Sequence, residues 1–310
     1  VKCCIIGGAG FIGSYTVRQL IESGRDVVVL DRSSKSHFPL PPKTKYISGD
    51  YSDRSLLRRI ISDADEVIDL AYTTVPKTSF ENPTYDILSN LPQSVGLLEE
   101  AIVAKIKKLV VVSSGGTVYG VTSDFPLKEE HATNPISPYG ITKLTIEKYA
   151  GMFAVLADLP VTVVRPGNAY GEGQTVAEQG FIATAIQAIL LRKKFDVFGN
   201  LGTVRDYIHV ADIARGILAA LDCGKQGQVY NIGSGIGRNN IEVLEALRPF
   251  AQRDGYAIEV NTLPHRKFDV PINVLDGTKL RQVSGWEPKI SFEQGIQQTW
   301  EAALAKFSNT

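Results

Sequence analysis

The chain has 310 residues and a mass of 33.8 kDa, enough for one large domain or two modest ones with a substantial core. Apolar residues make up 44% and charged residues 21%, and 33 Lys and Arg balance 33 Asp and Glu. That composition excludes a disordered chain and argues against a nucleic-acid-binding surface, so no nucleic-acid partner is expected.

The opening VKCCIIGGAGFIG is apolar but is broken by Gly7 and Gly8. No apolar run approaches the roughly 20 residues that span a bilayer, so no membrane partner is expected. Cys3 and Cys4 are adjacent on an apparent strand and point to opposite faces, with Cys223 far away in sequence. That is no disulfide framework, and a cytoplasmic location is expected. The histidines at 37, 131, 209 and 265 lack metal-ligand spacing, so no metal is expected.

Short Val- and Ile-rich runs follow in order: CCIIG (3–7), DVVVLD (26–31), KYISG (45–49), EVIDLA (66–71), KLVVVSS (108–114) and VTVVRP (161–166). Each is too short for a buried helix, whereas the segments between them carry helical spacing such as Leu56, Leu57, Ile60 and Ile61. Strands apolar on both faces need helices on both sides, so the reading is an α/β, doubly wound parallel sheet. After Arg165 the rhythm loosens. VYNIG (229–233) reads as a strand that returns to the sheet, and the irregular, Pro- and Gly-punctuated segments 172–200 and 236–310 read as a smaller domain.

GGAGFIG places Gly7, Gly10 and Gly13 directly after the first strand. A strand-to-helix turn of this kind needs glycine where φ is positive and where a pyrophosphate approaches free backbone N–H groups. The second strand ends in Asp31, where a carboxylate can accept from an adenosine ribose and repel a 2′-phosphate. The cofactor expected is therefore NAD, in a Rossmann-like domain. Asp50, after the third strand, is read either as a contact to adenine or as the N-cap of a helix beginning near Arg54.

SPYGITK (137–143) places Tyr139 and Lys143 one helical turn apart, where they share a face. A free tyrosine ionises near pH 10, so a base working near pH 7 needs about 4 kcal/mol of differential stabilisation of its phenolate. Lys143 and a positive nicotinamide are the opposite charges able to supply it. With GGAGFIG, VVSSGGTVYG, VRPGNAYG, VRDYIHVADIA, VYNIGSG and GWEP in the same order, the chain resembles the extended short-chain dehydrogenases/reductases, the NAD-dependent sugar-nucleotide epimerases and dehydratases.

The resemblance implies that Tyr139 and Lys143 are catalytic. It implies cofactor contacts from Gly7, Gly10, Phe11, Ile12, Gly13, Asp31, Asp50, Tyr51, Leu70, Ala71, Asn90, Ser113, Tyr139, Lys143 and Pro166. It implies a dinucleotide-binding domain over 1–167, with a return of the chain around 205–235, and a nucleotide-sugar-binding α/β domain over 168–204 and 236–310. A homodimer formed by helices around 84–105 and 139–157 is also implied. Asn168, Arg205 and Arg266 match the positions that grip a nucleotide diphosphate, and Asp269 matches a contact to the nucleotide ribose. Asn273 falls near a position where a bulkier Tyr would exclude N-acetylated sugars, so tolerance of UDP-glucose and UDP-N-acetylglucosamine types is expected.

Several positions depart from the family pattern. Gly115 stands where relatives place a Ser or Thr whose hydroxyl bonds the reacting oxygen. Strand alternation would put Ser113 and Thr117 on the face of Gly115, so Thr117 is the first candidate substitute, then Ser114 or a water in the space left by Gly115. Gly116 and Thr117 replace the Asp-Glu pair with which the dehydratases remove water. Asp69, and Gln93 to Gly96, also differ near the cofactor. The reaction that remains is epimerisation at C4 of a UDP-hexose through a transient 4-keto sugar. The alternatives are a uronic-acid epimerase or decarboxylase, and a non-catalytic dinucleotide-binding protein.

Overall fold

The computed structural model describes residues 1–175, 180–199, 201–264 and 270–308. Its first half alternates β1 (Lys2–Ile6), α1 (Phe11–Glu22), β2 (Asp26–Asp31), β3 (Lys45–Ser48), α2 (Arg54–Ile61), β4 (Glu66–Asp69), α3 (Pro76–Glu81), α4 (Pro83–Val103), β5 (Lys108–Val112), α5 (Pro138–Leu156) and β6 (Val161–Pro166). The second half holds β7 (Asn168–Tyr170), α6 (Phe181–Leu190), β8 (Phe195–Phe198), β9 (Val204–His209), α7 (Val210–Cys223), β10 (Val229–Ile232), β11 (Gly237–Arg238), α8 (Asn240–Arg253), β12 (Val260–Leu263), β13 (Ile272–Asn273), α9 (Thr278–Ser284) and α10 (Phe292–Ser308).

Seven strands form one parallel sheet in the order β10-β6-β5-β4-β1-β2-β3. The alternation of side chains builds a core on each face. Cys4, Ile6, Val28, Leu30, Val67, Leu109 and Val111 pack under α2, α4 and α5. Cys3, Ile5, Val27, Val29, Ile68, Val110 and Val112 pack under α1 and α7, joined by Leu280 of α9 and by Trp286. Each such side chain contributes about 1.5–3 kcal/mol by leaving water, which is why the runs carry hardly a polar residue. Strand order reverses direction between β1 and β4, so the loops leaving their carboxyl ends splay apart and open a crevice.

The strands read from the sequence are all present, including the return of β10 beside β6. The later segments are less irregular than their glycines and prolines suggest. Helices α6, α8 and α10 enclose a third core of Tyr170, Ile186, Val243, Leu247, Ile296 and Trp300. β9 anchors a small sheet there, flanked by β11 and β13 and paired also with β7. Among the described residues no helix is long and apolar enough to cross a membrane.

Candidate active site

The glycine loop has three separate reasons for its glycines. Gly7 has φ +78°, and a Cβ there would stand 2.8 Å from the backbone N of Ala71. At Gly13 a Cβ would lie 2.4 Å from the carbonyl oxygen of Gly7, so α1 can start this close to β1 only without one. Gly10 is different: a Cβ would meet only Gly7 O, at 3.5 Å, and its backbone is extended. Neither packing nor conformation demands glycine at 10, whereas close approach by an outside group does. Gly10 is also the N-cap of α1 and offers no side chain to the first-turn N–H groups, so those of Phe11, Ile12 and Gly13 are left for a ligand. This cradle fits a dinucleotide pyrophosphate.

Asp31 ends β2 and accepts from the backbone N–H of Ala9 at 3.2 Å and of Ser33 at 3.0 Å, which fixes its carboxylate beside the loop. Leu70 and Ala71 line the other side: Leu70 N–H donates to Ile6 O at 2.9 Å, and Ala71 N–H to Asp69 Oδ1 at 3.2 Å. The two readings of Asp50 are resolved in part. Asp53 is the N-cap of α2, and Asp50 instead accepts from Ser52 N–H at 2.8 Å. Tyr51 is half-buried beside it, with its phenol toward Ser94.

The Tyr-Lys pair is set by the start of α5. Ser137 is the N-cap and accepts from Gly140 N–H at 3.1 Å, with Pro138 at the first helical position. Tyr139 therefore sits in the first turn and Lys143 in the next. The backbone N–H of Tyr139 donates to Ser79 Oγ at 3.2 Å. Lys143 is 6% exposed, and its Nζ donates to Val112 O at 2.9 Å, at the end of β5. Burial lowers the Lys143 ammonium to about 8 while the Asp69 carboxylate opposes that fall. Burial also pushes Asp69 up to about 6 and raises the Tyr139 phenol, which a hydrogen bond with Ser114 partly offsets.

That last contact reverses the order of preference for the missing hydroxyl. β5 ends at Val112 and the chain turns at Gly115 to Thr117, so strand alternation does not extend to Thr117. Ser114 meets Tyr139, whereas Thr117 Oγ1 is buried without a hydrogen-bond partner in the structure. Nor does Gly115 leave room for a water. The side chain of Leu275 fills that space, and a Cβ on Gly115 would lie 2.4 Å from Leu275 Cδ1 and 3.0 Å from Arg165 O. Reinstating the hydroxyl with Gly115→Ser is therefore expected to destabilise the fold by about 1–3 kcal/mol, read as a lowered thermal midpoint. Adding Leu275→Ala should recover part of it.

Other assignments change with the geometry. Ser113 gives its hydroxyl to Glu147, which forms a buried ion pair with Arg165, so its side chain is not available to a cofactor. Asn90 donates to Asp86 O at 2.8 Å and accepts from Thr73 N–H at 2.7 Å, holding the loop after β4 with both ends of its amide. Pro166 is buried, and its carbonyl accepts from Gly115 N–H at 2.9 Å. Asn273 is 1% exposed and donates to Gly115 O at 2.9 Å, so it holds the turn from below and is no wall of an open sugar pocket.

Asn168 starts β7 beside Gly116, and its Oδ1 is buried without a partner. Arg205 lies on β9 in register with Asn273 and donates to Val204 O at 2.9 Å. Arg266 and Asp269 lie outside the described residues. Among the described residues no group of three or more His, Cys, Asp and Glu could hold a metal ion. Sequence reasoning missed Tyr72, Asp86 and Leu275, which reach Tyr139 or Gly115 only through the fold.

A doubly wound sheet with a glycine cradle at its switch point, and a Tyr-Lys helix across the crevice, define a dinucleotide-dependent enzyme of the short-chain dehydrogenase/reductase class. Residues 3–233 match the model of the NAD dependent epimerase/dehydratase family, and the chain belongs to that family. It is similar to the UDP-glucose 4-epimerase of Mycolicibacterium smegmatis, with 33% identity covering 97% of this chain and 98% of that protein. Its structure resembles that of a Thermotoga maritima UDP-glucose 4-epimerase with UDP-glucose, at a TM-score of 0.92 and 35% identity over 99% of both chains. It also resembles a Thermus thermophilus UDP-glucose 4-epimerase in complex with NAD, at a TM-score of 0.90 and 31% identity, covering 98% of this chain and 99% of that one.

Proposed function

We propose that the protein is an NAD-dependent UDP-hexose 4-epimerase. The observation that carries this reading is the Tyr139 phenol, which the Ser114 hydroxyl faces, one helical turn from the buried ammonium of Lys143. Gly7, Gly10, Gly13 and the first turn of α1 would hold the pyrophosphate of NAD, and Asp31 its adenosine ribose. Bound NAD supplies a reversible hydride acceptor for the sugar C4. Tyr139 takes the proton of the 4-hydroxyl as the ketone forms and returns it to the inverted alkoxide, so no proton is gained or lost over the cycle. Ser114 donates to the same oxygen and orients it, while the positive charge of Lys143 favours the phenolate.

The related dehydration is disfavoured by the same geometry. Gly116 and Thr117 bring no carboxylate to the sugar. Asp86, the acid that acts on Tyr139, is fully buried and taken up by Tyr72, Thr74 and Thr142. We assign the dinucleotide to residues 1–167 with the return around 205–235. The sugar nucleotide falls to 168–204 and 236–310, gripped by Asn168, Arg205 and, by sequence position, Arg266 and Asp269. The free thiols of Cys3, Cys4 and Cys223 suit a cytoplasmic enzyme. Incubation with UDP-glucose, UDP-N-acetylglucosamine and UDP-glucuronate, with products resolved by NMR, tests the reading. The 4-epimer of UDP-glucose supports it, and loss of the carboxylate from UDP-glucuronate as the sole reaction overturns it.

The pH dependence follows from Asp69 and Lys143. Lys143 is charged below about 8 and loses its proton as pH rises through that value. Asp69 is the first of the carboxylates that hold the ammonium up. Asp69→Asn removes that support, so the alkaline limb of the kcat profile is expected to move to lower pH.

We further propose a homodimer. Tyr85, Ile87 and Leu88 on α4, with Ile141, Tyr149 and Met152 on the adjoining α5, are exposed, and the two helices pack side by side. An apolar face of this kind suits a second copy presenting the same two helices. Leu88→Glu with Met152→Glu is expected to convert a dimer into a monomer by light scattering, and a native protein that is already monomeric contradicts the proposal.

A further inference from the structure

An aromatic ring stands against both Tyr139 and Lys143. Tyr72 follows β4 and meets Tyr139 edge to face, with ring centroids 4.8 Å apart and planes at 67°. Lys143 Nζ lies over the same Tyr72 ring, 4.1 Å from its centre. The Tyr72 hydroxyl is 3.4 Å from each oxygen of Asp86. Asp86 is fully buried on α4 and also accepts from Thr74 and, at 2.6 Å, from Thr142, the residue before Lys143. A carboxylate is costly to bury, and this one is kept in place by three hydroxyl donors from two sides of the crevice. What it fixes is the position of the ring.

We propose that Tyr72 is a positioning residue of the reaction: anchored by Asp86, its ring orients Tyr139 and keeps water from the Lys143 ammonium. The inference rests on the reading in which Tyr139 is the base. Charges attract more strongly where water is excluded, so the ring lets Lys143 act on the phenol at nearly full strength. The ring face also favours the cation directly. The charged groups that face this cluster are Asp69 from β4, Asp86 from α4 and Glu147 from α5. Tyr72→Ala leaves all three in place.

Two readouts separate positioning from packing. The first is the ionisation midpoint of Lys143 in substrate-free protein, from its rate of amine acylation across pH, read by mass spectrometry. Tyr72→Ala admits water to the ammonium and is expected to raise that midpoint toward the value of a solvated lysine. The second is steady-state epimerisation of UDP-glucose, where the same variant is expected to lose about tenfold or more in kcat with KM within about twofold. Tyr72→Phe keeps the ring but loses its hydroxyl contact to Asp86, so it should fall between the native protein and Tyr72→Ala in both. Should Tyr72→Ala not fold, Tyr72→Asn also admits water and carries the same readouts.

An unmoved midpoint together with an unchanged kcat overturns the role of Tyr72, as does a Phe variant that falls as far as Ala. A native protein that leaves UDP-glucose unchanged, with a raised midpoint in Tyr72→Ala, overturns the epimerase reading and leaves the shielding of Lys143 by Tyr72 standing.

Discussion

Tyr139→Phe is expected to lower kcat on UDP-glucose by about 10³-fold while KM and bound NAD stay near those of the native protein. The substitution removes one oxygen and keeps the ring, so the edge-to-face contact with Tyr72 at 4.8 Å survives and the fold should not notice the change. What is lost is the phenol that the Ser114 hydroxyl faces, set one turn before Lys143. A variant that kept more than about a tenth of native kcat would move the base elsewhere, and the phenol would then be a structural group.

Ser114→Ala is expected to cost about 10²-fold in kcat, and Thr117→Val no more than about threefold. Stopped assays with UDP-glucose on the two variants side by side read the difference. The Ser114 hydroxyl faces the Tyr139 phenol, whereas Thr117 Oγ1 is buried with no hydrogen-bond partner in the structure. Leu275 fills the space into which a side chain at Gly115 would project, which leaves the Ser114 hydroxyl as the expected donor. The opposite ranking, with Thr117→Val the slower variant, would restore Thr117 as the donor.

The sheet was legible because its signal is local. Each strand is a run of apolar residues whose alternation can be counted, and Gly7, Gly13 and Asp31 sit where strand ends demand them. Tyr139 and Lys143 were legible for the same reason, since helical spacing and an N-cap at Ser137 are written within seven consecutive residues. The fate of Gly115 was not. Nothing near it in the chain says that Leu275 will fill its side, nor that β5 stops at Val112 and ends the alternation on which Thr117 was favoured.

Tyr72 and Asp86 fail the same test, because a tyrosine in a loop and an aspartate near a helix start look solvated until α4 and α5 pack together. The helices of the smaller core were a different miss. Asn239 and Glu242 form a capping box, and Phe292, Ile296 and Trp300 recur at helical spacing. Pro249 inside α8 and Gly295 inside α10 hid those patterns, since both residue types read locally as breaks.

Whether hydride leaves and returns at C4 is read from UDP-glucose deuterated at that carbon, incubated with the native protein in ordinary water. The expected product is UDP-galactose that keeps its deuterium at C4, with no net accumulation of NADH, because the hydrogen removed from one face is returned to the other. Washout of the label to solvent, or accumulation of NADH with an oxidised sugar, would contradict it.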